Sequence, residues 1–376
     1  MNQPCYLGLE DGSVFRGRAF GARGTSAGEV VFNTAMTGYQ EILTDPSYCG
    51  QIVTMTTPHI GNYGINADDV ESAGQHLAGF VVRELAIRPS NHRSTGDLAE
   101  YLKRAGVVGL AGVDTRALTL RLRRRGALRG VISTEITEPT ILVERARAAA
   151  QMSGSNLVQR VMPRGERSVG NDRRPARHRV VALDCGIKEN ILRRLAERGC
   201  AIRVMPPTVE AARVLDANPH GVLVGNGPGD PAAVRDTIET LRGLVGAVPM
   251  FGICLGNQLL ALALGAETYK LKFGHHGANH PVLDVDTGRV EITSQNHGFA
   301  VDIASLKKTG GRVTHVNLND RSLEGFAHPD KRLFAVQYHP EAAPGPHDSD
   351  YLFDRFIDLM AETSAPVATP SVSPMA

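Results

Sequence analysis

A chain of 376 residues is long enough for two or three domains with a substantial core. With 42% hydrophobic and 21% charged residues it reads as an ordinary globular protein, and a net charge of +2 gives no electrostatic footprint for nucleic acid or an acidic membrane. The five cysteines (Cys5, Cys49, Cys185, Cys200, Cys254) are few, odd in number and without a Cys-x-x-Cys pair, and no apolar run approaches the ~20 residues of a bilayer span. A disulfide framework, a zinc ribbon and a membrane span are therefore not indicated, and a cytoplasmic location is expected.

Residues 1–152 alternate short strand and helix patterns and read as a separate mixed α/β domain. Residues 6–15 form a hairpin turning at Asp11-Gly12. Residues 28–34 are a strand leading into a polar turn at 37–40. The Asp45-Pro46-Ser47 chemistry makes another turn before the strand 51–55. A strand at 79–83, helices at 98–105 and 115–125, a strand at 131–133 and a closing segment at 141–150 complete this half. The basic run 121–125 reads as a solvated helix face.

Residues 153–178 shift to Gly, Pro, Ser and Arg with little apolar periodicity, and read as a linker. From 179 to 361 the pattern is βαβα, with strands at 179–184, 201–205 and 221–224 and helices at 188–198, 210–216 and 233–244. That alternation predicts an open, mostly parallel sheet with helices on both faces. Residues 362–376, rich in Ala, Pro, Ser and Thr, are expected to be a disordered tail.

Within this half, residues 248–258 read as an apolar strand, a sharp turn carrying Cys254, and a helix start. Gly252 and Gly256 flank the cysteine in the pattern Gly-x-Cys-x-Gly, the thiol form of a nucleophile elbow. The glycines leave room where backbone approaches backbone, and the N–H groups of a helix start favour an anion at the turn. A buried structural cysteine is the alternative. Three further motifs fall at strand ends. Asn226-Gly227-Pro228-Gly229-Asp230-Pro231 is a rigid loop whose N–H groups can form an anion nest. The others are Gln295-Asn296-His297-Gly298-Phe299, and His339-Pro340-Glu341 at the end of the strand 334–338. There histidine and glutamate, two residues apart, are expected on one face, the glutamate fixing the imidazole tautomer.

Through these motifs the C-terminal half resembles the class I (triad) glutamine amidotransferases. The whole chain, over about residues 5–360, is similar to the small, glutamine-hydrolysing subunits of carbamoyl-phosphate synthetases. That narrower resemblance rests on Asn33-Thr34-Ala35-Met36-Thr37-Gly38-Tyr39-Gln40, Gly112-Val113-Asp114-Thr115-Arg116 and Lys272-Phe273-Gly274-His275-His276-Gly277. Ala278 and Leu120 depart from the family's usual residues, at positions assigned no chemistry.

The resemblance implies hydrolysis of glutamine to glutamate and ammonia by Cys254, His339 and Glu341, with the N–H groups of Leu255 and Gly227 as oxyanion donors. It implies that Ser47, Gly227, Gly229, Leu255, Gln258, Asn296, Gly298 and Phe299 hold the glutamine, so that the site lies between the halves. The chain has neither a P-loop nor a Gly-x-Gly-x-x-Gly loop after a strand. No cofactor is thus expected in this chain; ATP, magnesium and bicarbonate would be used by a separate large synthetase subunit that receives the ammonia to make carbamoyl phosphate for arginine and pyrimidine synthesis. The alternatives are a free-standing γ-glutamyl cysteine hydrolase, a scaffold with a relic site, and a metal site at His275, His276, His280 and His297. The metal is not expected, because adjacent histidines rarely chelate one ion well.

Overall fold

The computed structural model describes residues 3–170 and 176–364. The N-terminal half closes into a seven-stranded barrel, running Pro4–Leu9, Val14–Gly21, Val108–Ala111, Gly79–Val82, Gln51–Met55, Thr25–Asn33, Leu128–Ser133 and back to the first strand. Alternation sorts its side chains. Leu7, Val30, Ile52, Val81, Leu110 and Ile132 share one cluster, joined by Leu118 and Leu122 of the helix Thr115–Arg125. Val31, Val53, Phe80 and Val82 point the other way, against Ile42, Leu43, Leu98 and Leu102. Gln51–Met55 is buried at every position because both its faces are covered. The closure of the barrel, and the helix Tyr39–Thr44 that takes in the last two residues of the expected polar turn, go beyond the sequence reading.

The C-terminal half is one ten-stranded sheet in the order Arg167–Val169, Cys200–Met205, His178–Leu183, Gly221–Val224, Met250–Ile253, Leu333–Val336, Leu323–His328, Arg312–Asn317, Thr268–Asp284, Val290–Val301. Only the block from Cys200–Met205 to Leu333–Val336 is parallel. The outer pairs are antiparallel. The sheet is therefore mixed rather than mostly parallel, because the chain between the elbow helix and His339 builds hairpins instead of βα units. Helices cover both faces. Glu189–Glu197 and Tyr351–Ser364 pack on one side through Ile191, Leu195, Phe353 and Phe356. Arg235–Leu244 and Leu255–Ala263 pack on the other through Ile238, Leu241, Leu259 and Leu260.

Residues 153–178 are not all linker. Val158–Val161 is a helical turn, and Arg167–Val169 pairs with Cys200–Met205 as the sheet's edge strand. The last helix continues to Ser364, past the expected boundary at 361; the tail expected beyond it lies outside the described residues from 365 on.

Candidate active site

Met250–Ile253 ends at Cys254, and Leu255–Ala263 begins one residue later. Cys254 takes φ 55° and ψ −103°, a conformation costly for a residue with a side chain. Crowding here explains both flanking glycines. A Cβ on Gly256 would lie 2.1 Å from the Val224 carbonyl oxygen, and one on Gly252 would lie 2.8 Å from the Gly256 backbone. Cys254 is buried, with its Sγ 3.5 Å from the Asn296 carbonyl oxygen, to which it donates.

His339 and Glu341 are brought together differently from the expectation. The strand stops at Val336, so the two side chains do not share a strand face; they meet across a turn, Nδ1 to Oε1 at 2.7 Å. Both are buried. Burial alone would lower the imidazole pKa, but the charges of Glu341 and Cys254 raise it to about 10. Burial would likewise raise the Glu341 carboxyl, yet Lys188 and His339 bring it down to about 2. No oxygen or nitrogen of a described residue partners Nε2 of His339, and Cys254 interacts with the same imidazole.

Lys188 was not singled out by sequence. It is the buried cation beneath this pair, its Nζ 2.9 Å from Glu341 Oε1 and also bonded to the Ala342 carbonyl oxygen. Burial opposes its charge, but Glu341, Glu71 and Asp45 outweigh that effect and raise its pKa. Its partner is 153 residues away in sequence, which leaves no local signal.

A narrow cleft beside the sulfur is lined by Ser47, Gly227, Gly229, Cys254, Gln258, Asn296, Gly298 and Phe299, so every expected glutamine-holding residue except Leu255 borders it. Leu255 instead opens the helix, immediately after Cys254. Gly227 lies so close to the Cys185 carbonyl oxygen that a Cβ would come within 2.3 Å. Gln51 and Met152 also line the cleft without having been expected there, as do His276 and His297, which the sequence suggested only for the metal alternative.

Polar side chains fix this wall. Asn226 Nδ2 donates to Ser47 Oγ at 2.9 Å, and Asn296 Nδ2 to Asp45 Oδ2 at 2.7 Å. Burial holds the His276 pKa down to about 3, so its neutral ring donates from Nδ1 to Asn296 Oδ1 at 2.9 Å. Gln258 Nε2 donates to the Phe299 carbonyl oxygen at 2.7 Å. Asp45 thus holds Asn296 and, through Ser47, lies next to Asn226. Sequence reading had taken its Asp-Pro-Ser setting only as turn chemistry. A larger cleft of about 820 Å³, between Val169, Arg177 and Cys200, contains none of these groups.

Of the four histidines of the metal alternative, His275 and His297 come together, with Glu324 as a third group; their ligand atoms lie within 4.8 Å of one another. Each is hydrogen-bonded to neighbouring protein groups. His275 Nε2 meets Asp320 at 2.8 Å, Gln295 bridges Glu324 and His297, and His297 Nδ1 meets the Phe299 carbonyl at 2.8 Å.

Comparison with known proteins gives the class first. Residues 181–359 match the family model "Glutamine amidotransferase class-I", and residues 7–132 match "Carbamoyl-phosphate synthase small chain, CPSase domain". The carbamoyl phosphate synthase small chain of Syntrophotalea carbinolica is 55% identical, over 94% of this chain and 97% of that one. Those of Nitratidesulfovibrio vulgaris (strain Hildenborough) and Synechocystis are 54% and 51% identical, covering 95% and 97% of this chain and 98% of each relative. The chain belongs to the carbamoyl-phosphate synthase small chain family and is its glutamine amidotransferase subunit. Among the described residues no helix is long and apolar enough to cross a membrane.

Proposed function

We propose that Cys254, His339 and Glu341 hydrolyse glutamine, and that the ammonia passes to a large synthetase subunit. The observation that carries this reading is the buried imidazole held by Glu341 at Nδ1 and close enough to Cys254 for the cysteine to raise its pKa.

The chemistry follows from that arrangement. Cys254 as thiolate attacks the side-chain amide carbon, and the carbonyl π electrons move to oxygen. N–H groups of Leu255 and Gly227 receive this oxyanion, each such donor being worth ~3 kcal/mol of barrier. The C–N bond breaks as His339 gives its Nε2 proton to the nitrogen, leaving a γ-glutamyl thioester and ammonia. Formation of the thioester removes the sulfur's negative charge and with it part of what held the imidazole protonated. The neutral ring then takes a proton from water, which attacks the thioester; C–S cleavage releases glutamate and restores the thiolate. Glu341 stabilises the imidazolium without transferring a proton.

Ser47, Gly229, Gln258, Asn296, Gly298 and Phe299 would hold the substrate's backbone groups and amide. A second small cavity, sharing Asn296 with the first and bordered by Asn33, Ala35, Asp45, His339 and Pro344, supports an exit for ammonia between the halves. The acceptor subunit would supply the ATP, magnesium and bicarbonate chemistry. The direct test is labelling with a glutamine-like electrophile. Modification of Cys254 alone, with loss of glutaminase activity, supports the reading; modification chiefly at Cys185 or Cys200 overturns it.

A further inference from the structure

We propose that Glu71, on the N-terminal half, is a positioning residue for His339 and Glu341, because it caps in trans the helix whose first turn grips Glu341.

The helix Glu189–Glu197 begins without a cap of its own. Its N-cap residue is Lys188, whose side chain cannot accept a hydrogen bond from the free N–H groups of the first turn. Glu71 supplies both missing acceptors. Its carbonyl oxygen accepts from Glu189 N at 2.9 Å, and its Oε2 accepts from Asn190 N at 2.9 Å. Arg193, one turn on, reaches Glu71 Oε1 at 3.3 Å and the Val70 carbonyl oxygen at 2.9 Å. Glu71 is 1% exposed, so this is a buried contact between the halves rather than a surface pair.

The capped turn also holds the proposed triad. Lys188 Nζ donates to Glu341 Oε1 at 2.9 Å, and Asn190 Nδ2 donates to the Glu341 carbonyl oxygen at 2.6 Å. Glu341 is therefore gripped by side chain and backbone from two residues whose placement depends on Glu71. On its own half, Glu71 N donates to Thr44 Oγ1 at 3.0 Å, one residue before the segment carrying Asp45 and Ser47. One residue thus ties the loop bearing Ser47, through its backbone N–H, to the element that orients His339, through its carbonyl oxygen and carboxylate. The charged groups facing it are Lys188 and Arg193 from the helix, Glu341 across Lys188, and Glu41 on its own half. Burial raises the Glu71 pKa, with Lys188 and Arg193 opposing.

This inference rests on the hydrolytic reading, and its test separates the two. In the complex with the large subunit, glutamine hydrolysis is measured against pH for the wild type, E71A, E71Q, E341Q and E71A/E341Q. Alkylation of Cys254 by iodoacetamide is followed over the same pH range. E71A should lower kcat by about tenfold with KM within about threefold, and E71Q, which keeps an acceptor, should recover part of the loss. Adding E71A to E341Q should cost less than about twofold more, since the path through Glu341 is already cut. E71A should also shift the pH profile of alkylation, which a loss of stability alone would not do. A lowered Tm with kcat and alkylation profile unchanged in both E71A and E71Q would overturn the proposal, as would equal losses from E71A with and without Glu341. Absence of hydrolysis in the wild type would sink the hydrolytic reading instead, leaving the alkylation profile to decide Glu71.

Discussion

At the scale of single residues, the five cysteines separate sharply by environment. Burial pushes Cys5 and Cys200 up to about 12 and raises Cys49 and Cys185 as well, so all four are held as inert thiols. Cys254 alone stands at a helix start beside an imidazole. Cys254 contributes to the raised pKa of His339, which gives a measurable coupling. In an NMR titration of labelled histidine, C254S should lower the His339 pKa from about 10 towards the ordinary 6.5; an unchanged value would show that the two groups do not interact. Replacing His339 by Asn should abolish hydrolysis, because both proton transfers pass through it, while Glu341→Gln should cost less. Equal losses in folded proteins would make these roles wrong. Lys188→Met leaves Glu341 buried without its cation and should destabilise the fold by about 3–5 kcal/mol in urea unfolding. A loss under about 1 kcal/mol would mean that the pair contributes little.

At the scale of elements, the strand-turn-helix at Cys254 was legible because its requirements are local. The glycines at 252 and 256 sit where a Cβ would strike backbone, and apolar runs lead in and out. Gly256→Ala should therefore destabilise by at least about 1–3 kcal/mol, a prediction that denaturation at constant m-value checks. The His339–Glu341 contact was legible as a pair but not as a geometry, since an expected strand face proved to be a turn closed by Lys188 from another helix. The long hairpin of Thr268–Asp284 and Val290–Val301 escaped the βα pattern altogether, as its strands carry buried histidines in place of an apolar alternation. His275 makes that hairpin sensitive to pH. Burial lowers its pKa, but Asp320 and Glu324 raise it to about 9, against an ordinary 6.5. A raised value in the folded state means that the stabilisation is complete below about pH 6.5 and is lost as pH rises through about 9. H275N should flatten the stability difference between pH 6.5 and 9 relative to wild type; an identical slope would remove His275 from the account.

At the scale of the whole molecule, the halves are joined by polar contacts that converge on the site. Asp45 and Ser47 hold Asn296 and Asn226, Glu71 caps the helix that follows Lys188, and Glu29 pairs with Lys270 at 3.0 Å. None of these pairs has a local pattern, so sequence could place the site between the halves only through family resemblance. The barrel was hidden for a related reason: its parallel pairing of Thr25–Asn33, Gln51–Met55, Gly79–Val82 and Val108–Ala111 is set by long-range closure rather than by any turn. The central claim is that hydrolysis lies in this chain and synthesis in its partner. It is tested most directly by assaying the assembled complex, wild type and C254S, for carbamoyl phosphate formation with ATP and bicarbonate, using either glutamine or ammonium salts as the nitrogen source. C254S should lose synthesis from glutamine and retain synthesis from ammonium; loss of both in an intact complex, or glutamine-dependent synthesis surviving without the thiol, would contradict it.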